Sequence, residues 1–170
     1  MGLFSSAHFD SLDELFLHQL KDLYDAELRL TDAIPKLAEK ASSSQLKAAF
    51  DHHLNETEKH VERLETIFEQ LGQEAEREKC HAIVGLIAEG DDVLSAEGDA
   101  DVLDAALIAA AQRVEHYEIS GYGTARAFAQ RLGNAYAAEL LQQTLDEEAA
   151  ADEKLTQIAE SSVNPSAVGR

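Results

Sequence analysis

Acidic side chains recur on stretches that otherwise repeat Leu, Ile and Ala every three or four residues, and two histidines accompany them. They are Glu27; the group His53, Glu56 and His60; the pair Glu115 and Glu118; and the pair Glu148 and Asp152. An unpaired carboxylate in apolar surroundings costs several kcal/mol or takes up a proton. Six of them together exceed a typical folding stability of about 5–15 kcal/mol. The same faces carry no Lys or Arg, and two imidazolium ions cannot balance six carboxylates. Either the acids line a wet cavity or cations come from outside. Two divalent metal ions bring about four positive charges and two trivalent ions about six, which suits carboxylate-rich coordination. On this reading Glu27, Glu56, Glu115, Glu118 and Glu148 are metal ligands, with Glu56 and Glu148 as bridges, and His53 is the nitrogen ligand. Asp152, with its shorter side chain, ligates or orients a ligand from behind. His60 shares the face but lies two turns away and is expected at the surface or behind a ligand. His52 and His116 point off the acidic stripe and should be solvated.

Helices must carry these residues. Gly and Pro are sparse, and the stretches between them are rich in helix formers. Ser11 and Glu14 form a capping-box pair ahead of a stripe from Leu12 to Ile34, with Pro35 expected to kink the last turns. The serines Ser42 to Ser44 cap a second helix that closes at Gly72. A third helix starts near Asp99 or Asp101 and ends at Gly133, and Asn134 caps a fourth. The tail after Ser162 reads as frayed. Helices one and two, and three and four, are joined tightly and should be antiparallel neighbours. Between Gln73 and Gly98 a longer connection holds one or two short helices, Cys80 to Glu89 and Asp91 to Ala96. The expected fold is all-α: a single ferritin-like four-helix bundle over about residues 10–162, with a helical crossover between helices two and three. Every acidic group falls near the middle of its helix, so in an antiparallel bundle all of them meet at one level. A step of three or four residues spans about 5–6 Å, which lets one helix reach two metals about 3.5–4 Å apart.

Composition narrows the partners. With 33 acidic and 14 basic residues the formal net charge is −19, which disfavours nucleic acid and repels an anionic membrane. Cys80 is the single cysteine, so no intrachain disulfide forms, consistent with a reducing compartment. No apolar run is long enough to cross a bilayer, and Met1 to Phe9 lack the features of a signal peptide. Met1, Gly2 and Ser6 fit a short N-myristoylation pattern that demands too little sequence to displace the expectation of a soluble cytoplasmic protein. Tyr24, Tyr117 and Tyr122 near the acidic level, and Cys80 in the crossover, are expected to pack.

The residues between Phe9 and Asn164 resemble the YciE/YciF-like branch of the ferritin-like superfamily. The resemblance rests on Asp22-Leu23-Tyr24-Asp25-Ala26-Glu27, Ile34-Pro35-Lys36-Leu37, His53-Leu54-Asn55-Glu56-Thr57, the run Asp104 to Gln112 with Val114-Glu115-His116-Tyr117-Glu118, and Thr144-Leu145-Asp146-Glu147-Glu148. It implies a stress-associated bundle with a dinuclear metal centre, iron preferred and manganese admissible, packed as a homodimer. The usual ferritin-superfamily order, Glu followed three positions later by His on two helices, is not kept. Here His53 precedes Glu56, and position 151 after Glu148 is Ala. The expected chemistry is redox turnover of a small oxidant, hydrogen peroxide or O2, in a catalase-like or ferroxidase-like reaction. The alternative is a metal-stapled structural or interaction protein of the stress response without turnover.

Overall fold

The computed structural model describes residues 8–168, so the Met1, Gly2 and Ser6 pattern lies outside the described residues. The described chain is all-α. It contains α1 (Leu12–Lys40), α2 (Ser44–Gln70), α3 (His81–Ser95), α4 (Ala100–Arg131) and α5 (Ala135–Ile158), then a π-helical turn (Ala159–Val163) and α6 (Asn164–Val168). None of the helices is long and apolar enough to cross a membrane.

Side chains that compete for backbone amides set the helix starts. Ser11 Oγ accepts from Glu14 N–H at 3.2 Å, and Glu14 reaches back to accept from Asp10 N–H at 2.8 Å. Ser43, Asp99 and Asn134 cap α2, α4 and α5 in the same way. Gly72 and Gly133 take φ of +65° and +76°, the left-handed conformation that ends α2 and α4. α1 continues through Pro35 to Lys40. The crossover is one helix rather than two, continuous through Gly85 and Gly90, and the Cys80 thiol caps it by accepting from Ile83 N–H. The tail expected to fray is instead helical through Val168, because Val163 buries against the apolar core beside Leu155 and Ile158.

Each of α1 and α5 packs on both α2 and α4, and α3 lies across α1 and α4. Gly121 lets α1 and α4 approach closely: a Cβ there would sit 2.8 Å from Leu23 Cδ2. Two apolar clusters result. One gathers Leu30, Ile34, Phe50, Leu107, Ile108 and Leu155, and the other Leu20, Leu23, Leu64, Ile67, Tyr122 and Leu141. On every long helix the acidic and histidine residues fall between the two. At about 1.5–3 kcal/mol for each buried Leu or Ile, the flanking clusters offset a costly polar layer.

Candidate metal centre

The polar layer draws one stripe from each long helix. α1 supplies Glu27, α2 His53 and His60, α4 Glu115 and Glu118, and α5 Glu148. Glu27, His60, Glu118 and Glu148 are fully buried, and Glu115 and His53 nearly so. They form two groups: His53, Glu115, Glu118 and Glu148, and Glu27, His60 and Glu148. Within each group one ligand atom per residue lies within 4.8 Å of the others, and Glu148 belongs to both. His60 Nδ1 lies 2.9 Å from Glu148 Oε1 and 3.4 Å from Glu27 Oε1. His53 Nε2 lies 3.3 Å from Glu115 Oε2 and 3.6 Å from Glu148 Oε2.

Most of these atoms have no donor to accept from. Glu27 Oε2, Glu115 Oε2, both oxygens of Glu118, both of Glu148, and His60 Nδ1 are buried without a hydrogen-bond partner. Tyr122 is the exception as a donor, its hydroxyl bonding Glu27 Oε1. Burial pushes the Glu115 carboxyl up, and it pushes Glu118 and Glu148 well above the usual carboxylate range, where neighbouring acids add to the shift. Burial opposes charge on the two histidines as well, but the carboxylates around them outweigh it and raise both. Convergent carboxylate oxygens and imidazole nitrogens of this kind suit iron, manganese or zinc. The donor set fits a metal pair: two ions would each meet an imidazole, with Glu148 placed between them.

Glu27, His53, Glu115, Glu118 and Glu148 therefore come together as the sequence predicts. Glu56 and Asp152 stand outside both groups. Glu56 is partly exposed beside the groove, with one oxygen 3.4 Å from His53 Nδ1 and the other 3.3 Å from His52 Nε2. Asp152 accepts from Gln112 Nε2 at 2.9 Å and lies 3.4 Å from the exposed His116. His60 is the correction. It was expected at the surface or behind a ligand; the surface placement fails, because it is fully buried against Glu27 and Glu148. A step of seven residues returns a helix to within about 20° of the same direction, whereas the step of three from His53 to Glu56 turns about 60° away. The two rings end up with centroids 6.3 Å apart. The sequence reading also passed over Glu147 and Arg63, which close the layer from outside. Their only sequence signals are that Glu147 adjoins Glu148 and that Arg63 lies one turn after His60. Tyr24 and Tyr117 pack as expected and bond Glu65 and Asp22.

Among the described residues, a groove and a smaller cavity both reach the layer. A groove of about 590 Å³ runs between α2 and α5, lined by Ala49, His52, Ala150, Ala151 and Lys154, and its floor is His53, Glu56 and Glu115. A cavity of about 40 Å³ beneath α3, walled by Leu30, Ile34, Phe50 and Val114, reaches His53 and Glu115 from the other side.

Known proteins share this arrangement of chain. Protein YciF of Escherichia coli K12 is 46% identical over 158 residues, covering 92% of this chain and 95% of its own. The crystal structure of the E. coli stress protein YciF superposes with a TM-score of 0.88 at 45% identity, covering 92% of this chain and 99% of that one. YcfI of Rhodopseudomonas palustris gives 0.87 at 44% identity with the same coverage. A Xanthomonas campestris protein only 19% identical shares the fold, with a TM-score of 0.70 over 91% of this chain and 94% of its own. Residues 11–168 match a domain of unknown function, DUF892, and with so close a relative in YciF the chain belongs to that family.

Proposed function

We propose that the chain is a ferritin-like four-helix bundle housing a dinuclear metal centre, iron preferred and manganese the alternative, that reacts with hydrogen peroxide or O2. The observation that carries this reading is the set of buried, donorless oxygens on Glu27, Glu115, Glu118 and Glu148. Left as bare carboxylates they would cost more than the fold can spare. His53, Glu115 and Glu118 would hold one ion and Glu27 and His60 the other, with Glu148 within reach of both groups. Glu56 orients His53, and Asp152 stays with Gln112. When bound, such a pair would contribute electron-transfer chemistry toward the oxidant. The chain's own residues do the rest. The α2–α5 groove admits a small molecule as far as His53 and Glu115, the apolar clusters keep bulk water from Glu27 and Glu118, and the Tyr122 hydroxyl holds its proton on Glu27. The stress-protein description of the E. coli relative fits a role in a stress response.

The test loads purified protein with Fe²⁺ or Mn²⁺, measures metal per chain, and follows peroxide and O2 consumption beside Glu148→Gln. Two ions per chain and turnover that Glu148→Gln abolishes are expected. Metal binding that raises the melting temperature while consumption stays at background would replace the redox reading with a metal-stapled structural role.

A further inference from the structure

Each buried histidine turns one ring nitrogen toward the acid layer and the other toward an outer carboxylate, and the two rings do so in opposite senses. His60 directs Nδ1 at Glu148 and Glu27, and Nε2 at Glu147 Oε2, 2.9 Å away. His53 directs Nε2 at Glu115 and Glu148, and Nδ1 at Glu56 Oε2, 3.4 Å away. Carboxylates face both nitrogens of each ring, so a cation in the layer is what would divide them: it would take the lone pair of the inner nitrogen and leave the ring proton on the outer one, donated to a carboxylate that only accepts.

The outer carboxylates are held very differently. Glu147 receives both arms of the Arg63 guanidinium, Nη1 to Oε2 at 2.5 Å and Nη2 to Oε1 at 2.9 Å. Arg63 Nη1 is also 3.2 Å from Thr144 Oγ1 on the same helix as Glu147. A forked contact of this kind fixes the plane as well as the position of a carboxylate. Among the described residues, Glu56 has only the exposed His52 for support beyond His53 itself, and it borders the open groove.

We propose that Arg63 and Glu147 are a positioning pair that fixes His60 as an Nδ1 ligand. They thereby make the Glu27–His60–Glu148 group the tighter of two unequal ion subsites and the His53 group, with its weaker Glu56 brace, the looser one. This rests on the metal reading above. Neither residue of the pair touches an ion; both act through the imidazole. Removing the outer partner of a metal-bound histidine lowers metal affinity about 10–100-fold.

Zn²⁺ is the probe, because it binds such sites without redox change. Calorimetric titration of the full chain should show two Zn²⁺ ions bound with unequal affinity. Glu147→Ala should weaken the tighter event about 10–100-fold and leave the other unchanged. Glu147→Gln, whose amide carbonyl still accepts from Nε2–H, should restore it, and Glu56→Ala should weaken only the looser event. In ¹⁵N-histidine NMR spectra of the metal-free chain, the His60 Nε2–H should be a slowly exchanging signal. It should be lost in Glu147→Ala and in Arg63→Gln, the second variant keeping the test alive if the first does not fold. Unchanged affinities for both ions in Glu147→Ala, or zinc bound to His60 through Nε2, would overturn the proposal. A wild type that takes no Zn²⁺ would overturn the metal reading itself. The His60 signal would then decide the positioning pair alone: its presence in wild type and loss in Glu147→Ala supports the pair, and its absence in wild type refutes it.

Discussion

Asp25 and Glu27 lie two residues apart on α1 and both are buried, yet they live in opposite electrostatic worlds. Asp25 accepts from Arg29 Nε at 2.6 Å, Arg77 Nε at 2.8 Å and the Cys80 amide at 2.9 Å. Burial works against its charge, but these donors outweigh it and hold its carboxyl below the usual range. It fastens the segment leading into α3 onto α1. Asp104 is similarly satisfied, by the Ser42 and Ser43 amides at 2.8 and 2.7 Å. In the layer around Glu27, by contrast, neither Glu118 nor Glu148 accepts a hydrogen bond from a described residue, although Glu148 lies beside the His60 and His53 rings, and both carboxyls are pushed well up. The difference teaches that a buried acid by itself marks nothing. A buried acid whose oxygens point at other acids marks a place for a cation.

The largest effect that can break this comparison comes from metal. Saturating one site at about 1,000 times its Kd stabilises the fold by about 4 kcal/mol. Differential scanning calorimetry with metal and with chelator should show a large shift in wild type and almost none in Glu148→Gln, since Glu148 serves both groups. A shift of full size in that variant would mean that the ions bind elsewhere. Next in size is Asp25→Ala. Breaking a fully buried ion pair costs about 3–5 kcal/mol. Here the partners Arg29 and Arg77 keep 34% and 47% of their side-chain surface exposed, so about 2–3 kcal/mol is expected. Urea unfolding should give the same loss with and without metal, and a metal-dependent loss would erase the distinction between the two regions.

The pH dependences should run in opposite directions. Glu115, Glu118, Glu148, His53 and His60 all have raised pKa values in the fold, so the folded metal-free protein binds more protons than the unfolded chain. Its stability is fully present below the unfolded values and falls as pH rises through the raised ones, by about 1.4 kcal/mol per pH unit for each extra proton. Asp25 is depressed, so its contribution is present above the ordinary Asp value and is lost as pH falls through the lowered one. Denaturant midpoints of metal-free protein across the pH range separate the two, and a flat profile above the carboxylate range would count against the layer's strain. The smallest effect is the most pointed. Glu118→Leu should make the metal-free protein more stable, by about 1 kcal/mol, because an apolar side chain replaces a donorless acid. A metal-free variant less stable than wild type would show that Glu118 has a stabilising partner.

The four long helices and their ends were legible in the chain because the signals are local. Ser11, Ser43, Asp99 and Asn134 cap helices over two or three residues, and Gly72 and Gly133 close them. Helical spacing alone likewise put Glu27, His53, Glu56, Glu115, Glu118, Glu148 and Asp152 on one set of faces, and the sum of their six carboxylates pointed to added cations. The three-dimensional arrangement decided the rest. Which acids are donorless depends on partners far away in sequence. Asp25 is quieted by Arg77 and Cys80 across the crossover, and Glu147 is gripped by Arg63 from another helix. His60 came to lie buried against Glu27 and Glu148, and Glu56 at the groove beside His53, because the packing of α2 on α5 selects among residues that share a stripe. A helical period states which direction a side chain takes; only packing states what it finds there.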